Sequence, residues 1–147
     1  MVFRALLARE DIDVNAAEED GFHPLHLAAQ NGHTDAVKAL LAREDIDVNA
    51  AEEDGWRPLH IAAQSGHTAA IEALLAREDI DVNAANNNGF RPLHLAAQSG
   101  DADVVNALLA GRDIDVTAAN NNGFRPLHFA AQSGDADAVA ALLPRAG

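Results

Sequence analysis

The chain has 147 residues, with 23 acids against 10 bases, a formal net charge of −13 and no cysteine. That charge argues against nucleic acid and anionic membrane surfaces, which are gripped mainly through Lys and Arg, and the missing cysteine removes disulfides, thiolate metal sites and thiol nucleophiles. Alanine and leucine dominate a 48% hydrophobic content with only 4% aromatics, which predicts a thin, helix-rich core. No stretch nears the roughly 18 apolar residues of a membrane span.

Reading from the first residue, MVFRALLARED carries a short apolar patch without a cleavage-like segment. No signal peptide is evident, so an intracellular location is expected over a secreted one. The dominant signal follows: HPLH, then RPLH three times, placing Pro24, Pro58, Pro92 and Pro126 at successive steps of 34 residues. A fixed period of that size predicts a stack of similar units along one axis. The predicted architecture is all-α, one domain over 1–147, with a half unit at 1–20 and full units at 21–53, 54–87, 88–121 and 122–147. Phe3-Arg4-Ala5-Leu6-Leu7 aligns with Val37-Lys38-Ala39-Leu40-Leu41, so the half unit is read as opening in a second helix.

Within the unit 54–87, Asp54-Gly55 is a tight-turn dipeptide and Pro58 suits the first position of a helix. Leu59, Ala62 and Ala63 give an apolar face, and Gly66 ends that helix. Thr68 is the expected cap of a second helix bearing Ala70, Ile71, Leu74 and Leu75, whereas Asp101 and Asp135 are expected to cap in later units. Neither helix is long enough to stand alone. Paired alanines such as Ala28, Ala29, Ala62, Ala63, Ala96, Ala97, Ala130 and Ala131 suit close stacking.

Candidate chemistry is sparse. His26, His60, His94 and His128 recur once per unit, too far apart to share one zinc at ~2.0–2.1 Å. DIDVN at 11–15, 45–49 and 79–83 resembles the opening of a calcium loop, but Ala16, Ala50 and Ala84 stand where a sharp-turning Gly is needed. Phe22, Trp56 and Phe90 stand where a bidentate Glu is needed. No Ser, His and acid fall into a nucleophile arrangement, and near-identical units do not supply the differing residues that converge on an active site. No enzyme activity and no cofactor are expected.

The repeated blocks GFHPLHLAAQNGH (21–33), GWRPLHIAAQSGH (55–67), GFRPLHLAAQSGD (89–101) and GFRPLHFAAQSGD (123–135), with Leu-Leu at 40–41, 74–75, 108–109 and 142–143 and DVNA at 13–16, 47–50 and 81–84, resemble the ankyrin repeat family. The resemblance implies antiparallel helix pairs, β-hairpin-like loops projecting sideways and a concave face that binds proteins. It implies a structural role for the His row, bonded to backbone in the hairpin. Asn15, Asn49 and Asn83 resemble asparagines that asparaginyl hydroxylases modify in this family; the plainer reading is that each fixes its hairpin turn. Two departures stand out. The unit carries one residue more than the family's usual 33, expected in the loop at Arg43-Glu44-Asp45-Ile46. The Thr of T-P-L-H is replaced by His23, Arg57, Arg91 and Arg125, for which pairing with hairpin carboxylates or carbonyls, or cation–π contact, is expected.

Carried over by position, the resemblance places partner contacts at the loop tips and the first helices. These are Glu18, Glu19, Asp20 and Phe22, then Glu52, Glu53, Asp54 and Trp56, then Asn86, Asn87, Asn88 and Phe90, then Asn120, Asn121, Asn122 and Phe124. Gln30, Gln64, Gln98 and Gln132 follow on the helices. The tips change from EED to NNN, so the face is acidic in its first half and neutral in its second. Two readings stand side by side. In one, the aromatic row flanked by acids binds a basic or mixed peptide or domain. In the other, the rings pack on neighbouring hairpins and the acids keep the array soluble. The alternative function is an engineered or fragmentary scaffold without a partner of its own, suggested by the near-duplicate AREDIDVNAAEEDG at 8–21 and 42–55. Val2, Phe3, Leu6 and the stretch from Phe129 to Leu143 are expected to leave apolar surface that favours end-to-end self-association.

Overall fold

The computed structural model describes residues 12–146, so the expected helix at Phe3–Leu7 and the apolar Val2, Phe3 and Leu6 lie outside the described residues. Four helix pairs follow one another: α1 (Pro24–Gln30) and α2 (Thr34–Leu41), α3 (Pro58–Ser65) and α4 (Thr68–Leu75), α5 (Pro92–Ser99) and α6 (Ala102–Leu109), α7 (Pro126–Ser133) and α8 (Ala136–Ala146). The first helices stack as α1, α3, α5 and α7; the second helices form a parallel layer of α2, α4, α6 and α8. Each pair also packs on itself. No strand occurs among the described residues, and the pairs are joined by hairpin-like loops.

Each first helix begins at its proline, with the preceding residue in extended conformation (Arg57 φ −99°, ψ 163°). Gly66 ends α3 in the left-handed region at φ 77°, a conformation that any side chain would strain. These helices of seven or eight residues are marginal in isolation, so burial between layers must hold them. Leu59, Ile71, Leu74, Leu93 and Leu108 are at most 1% exposed, and Ala62, Ala63, Ala96 and Ala97 are fully buried. Covering one Leu side chain is worth about 1.5–3 kcal/mol. Ala131 differs from its counterparts: it is exposed on the outer face of α7.

α4 starts one residue earlier than Thr68 capping requires. His67 is the cap residue of α4 and Thr68 is its first helical residue, with no side-chain cap bond. The His67 ring instead bridges units, its Nε2 lying 3.2 Å from the Gln30 carbonyl oxygen. Asp101 and Asp135 do cap, accepting from the N–H groups of Asp103 and Asp137 at 2.9 Å. The loop expected to take up the thirty-fourth residue lies just beyond the second helix. There the Arg77 N–H reaches back to the Leu74 carbonyl and Ile80 to that of Arg77.

Candidate functional site

The His row braces the start of each first helix, and His26 and His60 also tie theirs to the next unit. The backbone N–H groups of His23, Arg57, Arg91 and Arg125 donate to Nδ1 of His26, His60, His94 and His128 at 2.9–3.0 Å. An N–H can only donate, so Nδ1 is the acceptor and the ring proton sits on Nε2. Nε2–H then donates to the carbonyl of Trp56 (from His26, 2.9 Å), Phe90 (from His60, 2.8 Å) and Ala118 (from His94, 2.8 Å). Burial pushes the pKa of His26 and His94 down. His60, fully buried beside the Arg57 guanidinium, falls to about 4, with desolvation the larger cause. These rings are neutral struts.

The arginines before each proline find different partners. Arg91 Nη1 lies 3.6 Å from Asp115 Oδ2, a loose ion pair. Arg125 Nη1 donates to the Thr117 carbonyl at 3.2 Å. Asp115 is held below the usual carboxylate range, chiefly by the Thr117 N–H, with the Thr117 hydroxyl and Arg91 adding to it. The Nε atoms of Arg57 and Arg91 are buried without a partner among the described residues. The helix start survives without threonine because His94 N–H bonds to the Arg91 carbonyl and His128 N–H to that of Arg125, both at 3.0 Å.

At the tips, the first residue of each triplet is a backbone clamp. Glu52 Oε1 accepts from the N–H groups of Asp54 (2.7 Å) and Trp56 (2.8 Å), and its residue is only 8% exposed. Glu18 does the same for Asp20 and Phe22. Asn86 serves Asn88 and Phe90, and Asn120 serves Asn122 and Phe124. Glu52, Asn86 and Asn120 therefore sit inside their turns, whereas the sequence reading put them on open tips. The second residues join neighbouring tips: Glu53 N–H donates to Asp20 O, Asn87 to Asp54 O and Asn121 to Asn88 O, at 3.0–3.1 Å. The side chains of Glu18, Glu19, Asp20, Glu53, Asp54, Asn87, Asn88, Asn121 and Asn122 are exposed.

The aromatic row stands on the His row. Phe22, Trp56, Phe90 and Phe124 lie 5.6–5.9 Å, centroid to centroid, from the His of their own unit. Phe22, Trp56 and Phe90 are half-buried; Phe124 is 41% exposed. Phe129 slots between Phe90 (5.4 Å) and Phe124 (5.5 Å). In the first half no such ring fills the gap, and a cavity of about 230 Å³ opens between Phe22 and Trp56, walled by Gln30, Glu52, Asp54, Ile61 and Gln64. Gln98 and Gln132 are exposed on α5 and α7 outside it. Ile61 is a wall residue that sequence reasoning missed, although it shares its place in the PLHxA block with Leu27, Leu95 and Phe129.

The DIDVN blocks work between units. Asn49 Nδ2 donates to Asp79 O and its Oδ1 accepts from Asp81 N–H, both at 2.8 Å. Asn15 bridges to Asp45 and Asp47, and Asn83 to Asp113 and Asp115, in the same way. Each asparagine thus fixes the next unit's loop, not its own turn. The turn is fixed by the aspartate two places earlier, as in Asn49 N–H to Asp47 Oδ1 at 3.1 Å. Among the described residues no group of three or more His, Cys, Asp or Glu is placed to hold a metal ion, and no helix is long and apolar enough to cross a membrane.

No curated protein sequence matches the chain. The family pattern described as ankyrin repeats (3 copies) matches residues 1–86, 45–118 and 79–147. With four stacked helix pairs joined by hairpin-like loops, the chain belongs to the ankyrin-repeat family, a non-catalytic fold that binds protein partners.

Proposed function

We propose that the chain is a protein-interaction module whose first two units receive a basic or mixed peptide or domain. The observation that carries this reading is the cavity between Phe22 and Trp56. It joins half-buried aromatic surface to the exposed carboxylate of Asp54 and to the amides of Gln30 and Gln64, and Glu53 is exposed on the same tip. An aromatic pocket ringed by polar groups is the composition of an interface hot spot. The acids outside it attract a cationic partner over distances set by salt. Selecting peptides from a random displayed library tests this. Binders should be enriched in Lys or Arg beside an apolar residue, and should be lost in Trp56→Ala and in the pair Glu53→Lys, Asp54→Lys. Selection of no consensus favours a scaffold without a partner of its own, and binders indifferent to both variants refute the site.

A second reading concerns the outer face of α7. Ala131 and His128 are exposed there although Ala63, Ala97, His60 and His94 are covered by the next unit. Leu143 is 50% exposed, and a cavity of about 500 Å³ is lined by Val116, Leu127, His128 and Ala131. Phe129 and Leu142, expected to be uncovered, are buried at 6% and 1% exposure, so this apolar face is smaller than the sequence suggested. We infer end-to-end self-association through this face. Strictly monomeric sedimentation at high concentration, unchanged by Ala131→Glu, refutes it.

A further inference from the structure

The loops after α2 and α4 each carry an arginine with the same task, and the loop after α6 lacks it. Arg77 lays its guanidinium fork on Asp79 (3.1 and 2.9 Å) and donates through Nη1 to the Leu41 carbonyl at the end of α2 (2.7 Å). Arg43 places the same fork on Asp45. The corresponding residue of the next unit is Gly111, so no side chain reaches back. The Leu75 carbonyl, counterpart of Leu41, accepts no hydrogen bond among the described residues. Asp113, counterpart of Asp79, has no ion pair among them and is exposed. It also holds a positive φ of 59°. A cavity of about 340 Å³ occupies the vacated place, walled by Leu75, Ile80 and Val82 with Asp113 at its side.

We propose that this cavity binds an alkylguanidinium small molecule, with the fork on Asp113 and a further N–H on the Leu75 carbonyl. The chain's own Arg77 shows the same chemistry satisfied one unit earlier. A helix C-terminus favours a cation, a guanidinium matches a carboxylate through two parallel N–H bonds, and the apolar wall takes the three-carbon stem. Of the two cations lining the cavity, Arg77 is committed to Asp79, and Arg112 is an exposed residue one place beyond the vacated position. The site shares no residue with the groove between Phe22 and Trp56, so it stands or falls independently of the partner-binding reading.

Titration of the 15N-labelled chain with N-acetyl-arginine amide tests the proposal. Saturable shifts are expected at the Leu75, Gly111 and Asp113 amides, and N-acetyl-lysine amide, a point charge without the fork, should bind about tenfold more weakly. Gly111→Arg should abolish the response by filling the site from within. Gly111 has no positive φ, and an added Cβ would lie 3.1 Å from the Leu108 carbonyl oxygen, at a place where the earlier units already carry arginine. Should that variant fail to fold, Asp113→Asn, which suits the positive φ, should weaken binding about tenfold. Unsaturable shifts spread over the acidic surface, equal binding of the lysine compound, or a response unchanged in Gly111→Arg or Asp113→Asn would overturn the proposal.

Discussion

Replacing Asn49 by Ala removes two hydrogen bonds that cross from one unit to the next, leaving the Asp79 carbonyl and the Asp81 N–H without their 2.8 Å partners. An intramolecular hydrogen bond contributes about 1 kcal/mol net, and Asn49 is half-buried, so water recovers only part of the loss. The expected destabilisation is about 2 kcal/mol. With a urea slope of about 2 kcal/mol/M, the unfolding midpoint should fall by about 1 M. Because each unit leans only on its neighbours, the loss sits at a single interface, and the transition should broaden as the two halves uncouple. Thr117 occupies the same place in the last arm, and among the described residues its hydroxyl bonds only to Asp115 of its own loop. Thr117→Ala is therefore the control, expected to cost well under half as much. Urea curves followed by far-ultraviolet circular dichroism decide the matter. Equal midpoints for the two variants would refute the claim that asparagine links the units.

Three further outcomes follow from local geometry. His60 is neutral in the fold with a pKa lowered to about 4, against about 6.5 when unfolded. Its contribution is complete above pH 6.5 and is lost as pH falls through 4, by as much as ~3 kcal/mol; NMR titration of the ring placing its pKa at or above 6.5 would contradict this. Asp101→Ala should cost about 1 kcal/mol as a lost helix cap, while Thr68→Ala should cost little because Thr68 caps nothing; the two thermal midpoints give the comparison. Gly55→Ala should be more damaging than Gly123→Ala. Both hold a positive φ, costing about 1–2 kcal/mol, but a Cβ on Gly55 would lie 2.8 Å from Asn87 Oδ1 and one on Gly123 meets nothing. Equal chemical-denaturation midpoints would show that tip stacking does not constrain Gly55.

The fold was legible because its signals are local. Pro58 starts a helix, Gly66 ends one, and 34-residue spacing says that neighbours repeat. What stayed hidden are bonds spanning a whole unit. Asn49 reaches residues 30 and 32 places ahead, and no window around it shows that; the only trace is Thr117 standing in the last copy. Glu52 was misread as open charge because a carboxylate in a charged run looks solvated. The alternation of Glu18 and Glu52 with Asn86 and Asn120 at one place was the available clue, since both residue types present an oxygen to the same two N–H groups. Thr68 was misread as a cap because threonine suits that role, yet His67 already holds the cap position and spends its ring on the previous unit. The aromatic row was visible from spacing; that Phe129 fills one half of the groove and leaves the other open is a matter of packing.

Trp56 is the chain's single tryptophan and walls the proposed pocket, so its fluorescence reports occupancy directly. Titrating the chain with a library-selected basic peptide at low and at 0.3 M salt tests the central claim. The account predicts a saturable change in Trp56 emission whose midpoint rises steeply with salt, absent in the Glu53→Lys, Asp54→Lys pair. A peptide that binds by calorimetry while Trp56 emission stays unchanged, or whose affinity ignores both salt and charge reversal, would contradict it.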